Sequence, residues 1–81
     1  MTRATLVALL AVYGPRTTAE LARRARAPRW WVRWRLHTLW DDDLADVVRG
    51  DVWRLTGAGR SWAAELREDE LRFARLTRTR G

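Results

Sequence analysis

From Thr17 to Leu44 the apolar residues recur with a helical period that is broken once, at Arg26-Ala27-Pro28. That pattern calls for two helices joined by a tight connection. Thr17 followed by Glu20 is a capping box: the hydroxyl takes a free amide at the helix start, and the carboxylate reaches back to Thr17. Leu21 and Ala25 give the first helix an apolar side. Proline disfavours helical geometry in the residue before it but suits the first turn of a new helix. The second helix therefore runs from about Pro28 to Asp42, with Val32, Leu36 and Leu39 at i, i+4, i+7 on one face. With Val32 at the centre of the buried side, the helical period sends Trp30, Trp34, His37 and Asp41 to the far side. Arg33 and Trp31 fall on opposite flanks. This helix presents arginine and tryptophan to whatever lies outside it.

The flanking segments read as a scaffold for that pair. Residues 2–13 form a first helix, capped by Thr2, with Leu6, Leu9, Leu10 and Tyr13 on one stripe. Gly14-Pro15 stops it. Asp41-Asp42-Asp43 oppose the dipole at the end of the second helix of the pair and help terminate it. Asp43 stands where a left-handed residue would turn the chain, and Leu44 drops back into the core. Ala45 to Thr56 reads as a hairpin turning at Arg49-Gly50-Asp51, with Gly50 supplying a positive φ and Trp53 and Leu55 alternating onto the core face. Thr56 caps a final helix from about Ala58 to Arg75, whose stripe Trp62, Leu66, Phe73 and Leu76 is interrupted by Asp69. Beyond about Asp69 this helix outruns a three-helix core, so Phe73 and Leu76, with Leu66 on the same stripe before them, are expected to meet a second copy in a homodimer. The expected organisation is one domain over 1–76 and a basic, frayed tail over 77–81.

Composition narrows the class. The 81 residues suit one domain, and so small a domain buries only about 60 to 65% of its unfolded surface, which favours dimerisation. Charged residues make up 32% of the chain, and its longest apolar run, Leu6 to Tyr13, is shorter than the roughly 18 residues a membrane span needs. That run also lacks the flanks of a secretory signal. With no cysteine there is no disulfide framework or thiolate metal site, and a cytoplasmic, nucleoid-associated protein is expected. All 16 basic residues are arginine, and the formal net charge is +6. Residues 1–40 carry eight arginines against one acid (+7), residues 41–59 two against five (−3), and residues 60–81 six against four (+2). A basic excess gathered on the two-helix unit favours a polyanion partner; the alternative is a generally basic, solvated surface. The absence of lysine, isoleucine and asparagine, whose codons are AT-rich, points to a GC-rich genome such as that of an actinobacterium or one of its phages.

An enzyme is not expected. His37 and Ser61 are the only residues of their kind, and cysteine and lysine are missing, so the usual nucleophile–base pairs cannot be assembled. His37 and Asp41, four apart on a helix, are too few to hold a metal. Gly57-Ala58-Gly59 lacks the lysine of a phosphate loop. Glu65, Glu68, Asp69 and Glu70 beside Arg67, Arg72 and Arg75 read as solvated helix pairs. No cofactor, metal or small-molecule ligand is implied.

The order helix, helix, helix, two-stranded hairpin, helix resembles the winged helix-turn-helix domain: mainly α with a small β-hairpin, a three-helix core, a two-stranded wing and a C-terminal helix. TTAELARRA, starting at Thr17, is similar to the opening of helix two in MarR-, ArsR- and PadR-type regulators. Val32, Leu36, Leu39 and Leu44 match the apolar positions of their recognition helix and the turn after it. WRLTGAGR, Trp53 to Arg60, is similar to the tyrosine-arginine-leucine-threonine-x-x-glycine-arginine segment at which their wing returns. The resemblance covers about residues 2–66. It implies sequence-dependent binding of double-stranded DNA by a small transcriptional regulator, with helix three in the major groove, the wing on neighbouring phosphates or the minor groove, and the start of helix two on backbone. The residues it nominates are Arg29, Trp30, Arg33, Trp34 and His37 in the helix, Arg49 in the wing, and Arg16 and Thr17 at the start of helix two. Arg29 or Arg33 would read guanine or hold phosphate.

The chain departs from the pattern at Asp43, where glycine is usual, at the three clustered acids, and at the outward Trp30 and Trp34, where small or polar residues are usual. Those two tryptophans suit nucleic acid, a protein partner's pocket, or cover by their own chain. For Trp31, Trp40, Trp53 and Trp62, core packing is expected. Two other functions fit the same fold: a protein-interaction module using Trp30 and Trp34, and a DNA-bending accessory factor of the excisionase type.

Overall fold

The computed structural model describes residues 3–66 together with Arg72 and Ala74. Among these, four helices and a three-stranded antiparallel sheet make a small, mostly helical α+β domain. Helix α1 (Arg3–Tyr13) is buried at Leu6, Val7, Ala8, Leu9 and Leu10 in succession, so it is covered all round rather than along a single stripe. It packs on α2, α3, α4 and β3. Gly14, at φ +80°, ends it, its backbone N–H donating to the Leu10 carbonyl (2.9 Å).

The segment after Pro15 adds a strand to the expected two-stranded sheet. Arg16–Thr17 form a short strand, β1, with Arg16 opposite Trp53 and Thr17 opposite Val52, so the sheet order is β1-β3-β2. Two residues carry no alternation that a sequence pattern can register; the pairing follows from where α1 ends and α2 begins.

Helix α2 (Thr18–Ala25) starts at the expected capping box: Glu20 N donates to Thr17 Oγ1 (3.2 Å) and Thr17 N donates to Glu20 Oε1 (3.4 Å). It ends at Arg26 in the left-handed region (φ 56°, ψ 46°), with Ala27 N donating to the Ala22 carbonyl (3.0 Å). Pro28, extended at ψ 143°, then opens α3 (Arg29–Asp41). Val32, Leu36 and Leu39 are fully buried, as the period requires. Asp43 takes the left-handed turn at φ 59°, and Leu44 N closes back to the Leu39 carbonyl (2.8 Å). Of the three clustered acids, Asp42 is paired with Arg3 at 2.5 Å.

Strands β2 (Ala45–Arg49) and β3 (Val52–Leu55) form the hairpin, with an irregularity between Val47 and Arg49 and Gly50 at φ +54°. Trp53 and Leu55 face the core while Arg54 faces out, 3.6 Å from Asp46 across the pair. Thr56 begins α4 (Gly57–Ala64), accepting from Gly59 N at 3.0 Å and donating to the Asp43 carbonyl at 2.6 Å. The backbone of α4 thereby lies against the end of α3.

The continuous helix expected from Ala58 to Arg75 is interrupted. Helix α4 ends at Ala64, where Glu65 N and Leu66 N bond to the carbonyls three residues back, at 3.0 and 3.2 Å, and tighten the last turn. Leu66 is partly buried and packs against the core of its own chain. Ala74 is fully buried, and its carbonyl accepts from Tyr13 Oη at 3.5 Å, which brings the chain back onto the end of α1. Phe73, Leu76, Asp69, the Thr2 cap and the tail lie outside the described residues. No described helix is long and apolar enough to cross a membrane.

Candidate functional site

With Val32, Leu36 and Leu39 inward, the opposite side of α3 is left to solvent. Trp30 is 72% exposed and Trp34 56%, and Arg29, Arg33 and His37 are exposed beside them. These five expected site residues therefore share one helix surface. Self-covering of the two tryptophans does not occur among the described residues.

Two contacts order this surface. The Arg35 guanidinium lies 4.9 Å from the Trp31 ring and 5.0 Å from the Trp34 ring. Trp31 is half-buried against the core, so Arg35 ties the exposed Trp34 to a fixed platform. Arg35 lies on neither the buried nor the outward face, so helical periodicity does not single it out; its spacing of four from Trp31 and one from Trp34 is the available signal. The second contact is longer: Arg33 Nη2 stands 4.0 Å from Asp51 Oδ2, with more than half of the arginine side chain exposed.

Asp51, also outside the expected set, is the junction of the site. It lies in the hairpin turn and accepts from Thr18 Oγ1 (2.5 Å), from Thr18 N (3.3 Å) and from the Trp53 indole (3.1 Å). The indole also reaches Thr18 Oγ1 at 3.2 Å. Partial burial pushes the Asp51 carboxyl up. The hydrogen bonds from Thr18 and Trp53, with the Arg33 charge, outweigh that and hold it below the ordinary carboxylate value. The start of α2, the hairpin turn and the middle of α3 thus meet at one carboxylate. The signal lay in the sequence: a buried tryptophan needs an acceptor for its N–H, and Asp51 is two residues from Trp53.

Trp40 departs from the expected core placement. It is 47% exposed and stacks edge-on with Trp53, ring centroids 5.7 Å apart, because its helical position lies at the rim of the buried face. His37 sits against both rings, 5.7 Å from Trp40 and 5.4 Å from Trp53. Trp53 is buried, and Trp31 and Trp62 are half-buried against the core, as expected.

The remaining expected residues divide. Arg49 is exposed at the end of β2. Arg16 is half-buried and committed locally: Nη1 donates to the Pro15 carbonyl (2.7 Å), Nε lies 3.6 Å from Glu20 Oε2, and the guanidinium is 5.8 Å from the Tyr13 ring. Thr17 spends its hydroxyl within the capping box. Away from the outward face of α3, an open groove of about 970 Å³ has Arg3, Arg35, Leu44 and Trp62 among its walls. Comparison with family models, with curated proteins and with solved structures finds no match to this chain.

Proposed function

We propose that this chain is a winged helix-turn-helix protein that binds double-stranded DNA and regulates transcription by occupying its site. The order α1-β1-α2-α3-β2-β3 with sheet order β1-β3-β2 supports the winged-helix reading. In that reading α3 is the recognition helix and β2-β3 the wing. The observation that carries the proposal is the outward face of α3, where Arg29 and Arg33 are exposed beside Trp30 and Trp34. Guanidinium groups stay charged at any working pH and match phosphate or guanine bidentately. Exposed Arg49 extends the charge onto the wing. Arg16 and Thr17, being engaged within their own segment, act by shaping the start of α2. The chain works as a binding protein rather than an enzyme.

The test is a gel-shift titration of duplex DNA against salt. Binding through Z phosphates gives a log–log slope of about −0.9Z. Arg29→Ala or Arg33→Ala costs about 1–3 kcal/mol with relaxed sequence preference if the side chain reads guanine, or a uniform loss with a shallower slope if it meets phosphate. Binding that both variants leave untouched would remove α3 from the interface. A second reading is favoured by the exposure of Trp30 and Trp34: a protein partner for which these rings are the hot spot. It predicts no steep salt slope on duplex DNA.

A further inference from the structure

Tryptophan is an odd choice for a closed duplex. A duplex groove displays only base edges, and edges are read by side chains whose donors and acceptors match them. Indole has one donor and no acceptor. Its strength is a flat π face, and the face of a base is open only where the base has left the stack. The chain also lacks asparagine and glutamine, which would read adenine edges.

The spacing bears on the same point. Trp30 and Trp34 are one helical turn apart, about 6 Å along the axis, and both rings are open to solvent. Stacked bases on one strand are about 3.4 Å apart, too close to give each indole a base face of its own. Two bases separated by the thickness of one ring fit that interval. Arg35, stacked on Trp31 and Trp34 at 4.9 and 5.0 Å, holds one of the two rings in place before any partner arrives.

Resting on the DNA-binding reading, we infer that α3 takes DNA whose bases are unpaired where the helix lies, Trp30 and Trp34 stacking on the freed bases while Arg29 and Arg33 hold phosphate. The arginines give affinity for any duplex; the tryptophans select the opened one.

Fluorescence anisotropy with the full chain tests this, using a labelled matched duplex of about 30 base pairs and the same duplex carrying a bubble of about six mismatches. The bubble should bind at least about 25-fold more tightly at the same salt, two stacks of about fivefold or more each. Trp30→Ala and Trp34→Ala should each lose roughly 5- to 100-fold on the bubble, lose several-fold less on the matched duplex, and be rescued by Trp30→Phe and Trp34→Phe. Circular dichroism confirms that the variants fold. Equal affinity for the two DNAs, or alanine variants that keep the preference, overturns the inference while the DNA-binding reading stands. Binding to neither DNA at low salt removes both.

Discussion

Gly59 is the position where the fold tolerates no side chain. A Cβ there would stand 2.0 Å from the Leu44 carbonyl oxygen, 3.0 Å from its carbon and 3.1 Å from Leu55 Cδ2. Two of those atoms are backbone and cannot rotate away. Reaching an ordinary C···O contact of about 3.3 Å requires a shift of more than 1 Å. That shift pulls on Thr56, whose amide donates to Leu44 O (3.0 Å) and whose hydroxyl spans the Asp43 carbonyl (2.6 Å) and Gly59 N (3.0 Å). Overpacking costs about 1–3 kcal/mol, the weakened cap about 1 and the backbone bond about 1, while alanine's helix propensity returns about 1. Gly59→Ala should therefore lose about 2–4 kcal/mol, or about 10–30 °C of Tm in a domain this size. Urea unfolding followed by far-ultraviolet circular dichroism reads the loss. A variant within about 0.5 kcal/mol of the parent would show that α4 does not bear on Leu44 as described.

Asp51→Ala should cost about 2 kcal/mol in the same assay, because the Thr18 and Trp53 donors lose their acceptor. The depressed folded-state value of Asp51 means its contribution is present above the unfolded carboxylate pKa and is lost as pH falls through the folded one. The acid limb of the stability–pH curve should therefore flatten in Asp51→Asn; an unchanged limb would remove Asp51 as its cause. Trp30→Ala should change stability by less than about 0.5 kcal/mol, whereas buried Trp53→Ala should lose about 3–5; similar losses would contradict the inward and outward assignments. Thr56→Ala should cost about 1–2 kcal/mol through its cap, measured by thermal melting.

The elements legible in the sequence were those with a local cause. The Thr17 capping box, the break before Pro28, the left-handed Asp43 and the hairpin at Gly50 each follow from the chemistry of a few adjacent residues, and the structure has them all. What went unread depends on contacts distant in sequence. Strand β1 exists because β3 offers it a partner, and Asp51 reaches Thr18 from 33 residues away. The end of α4 at Ala64 carries no glycine or proline to announce it. Trp40, at the rim of a helical face, is the case that a face-by-face assignment handles worst. At the candidate site, the outward set on α3 was legible because 3.6-residue periodicity separates opposite faces cleanly. Arg35 and Asp51, which order that set, work across flanks and elements and had no periodic signal.

Contact between the outward face of α3 and DNA is read out by amide chemical-shift mapping of the labelled chain as duplex DNA is added. Shifts should concentrate on residues 29–37 and around Arg49, with the buried centre of α1 quiet. Shifts gathered on α1 and α4 with residues 29–37 unmoved would contradict it.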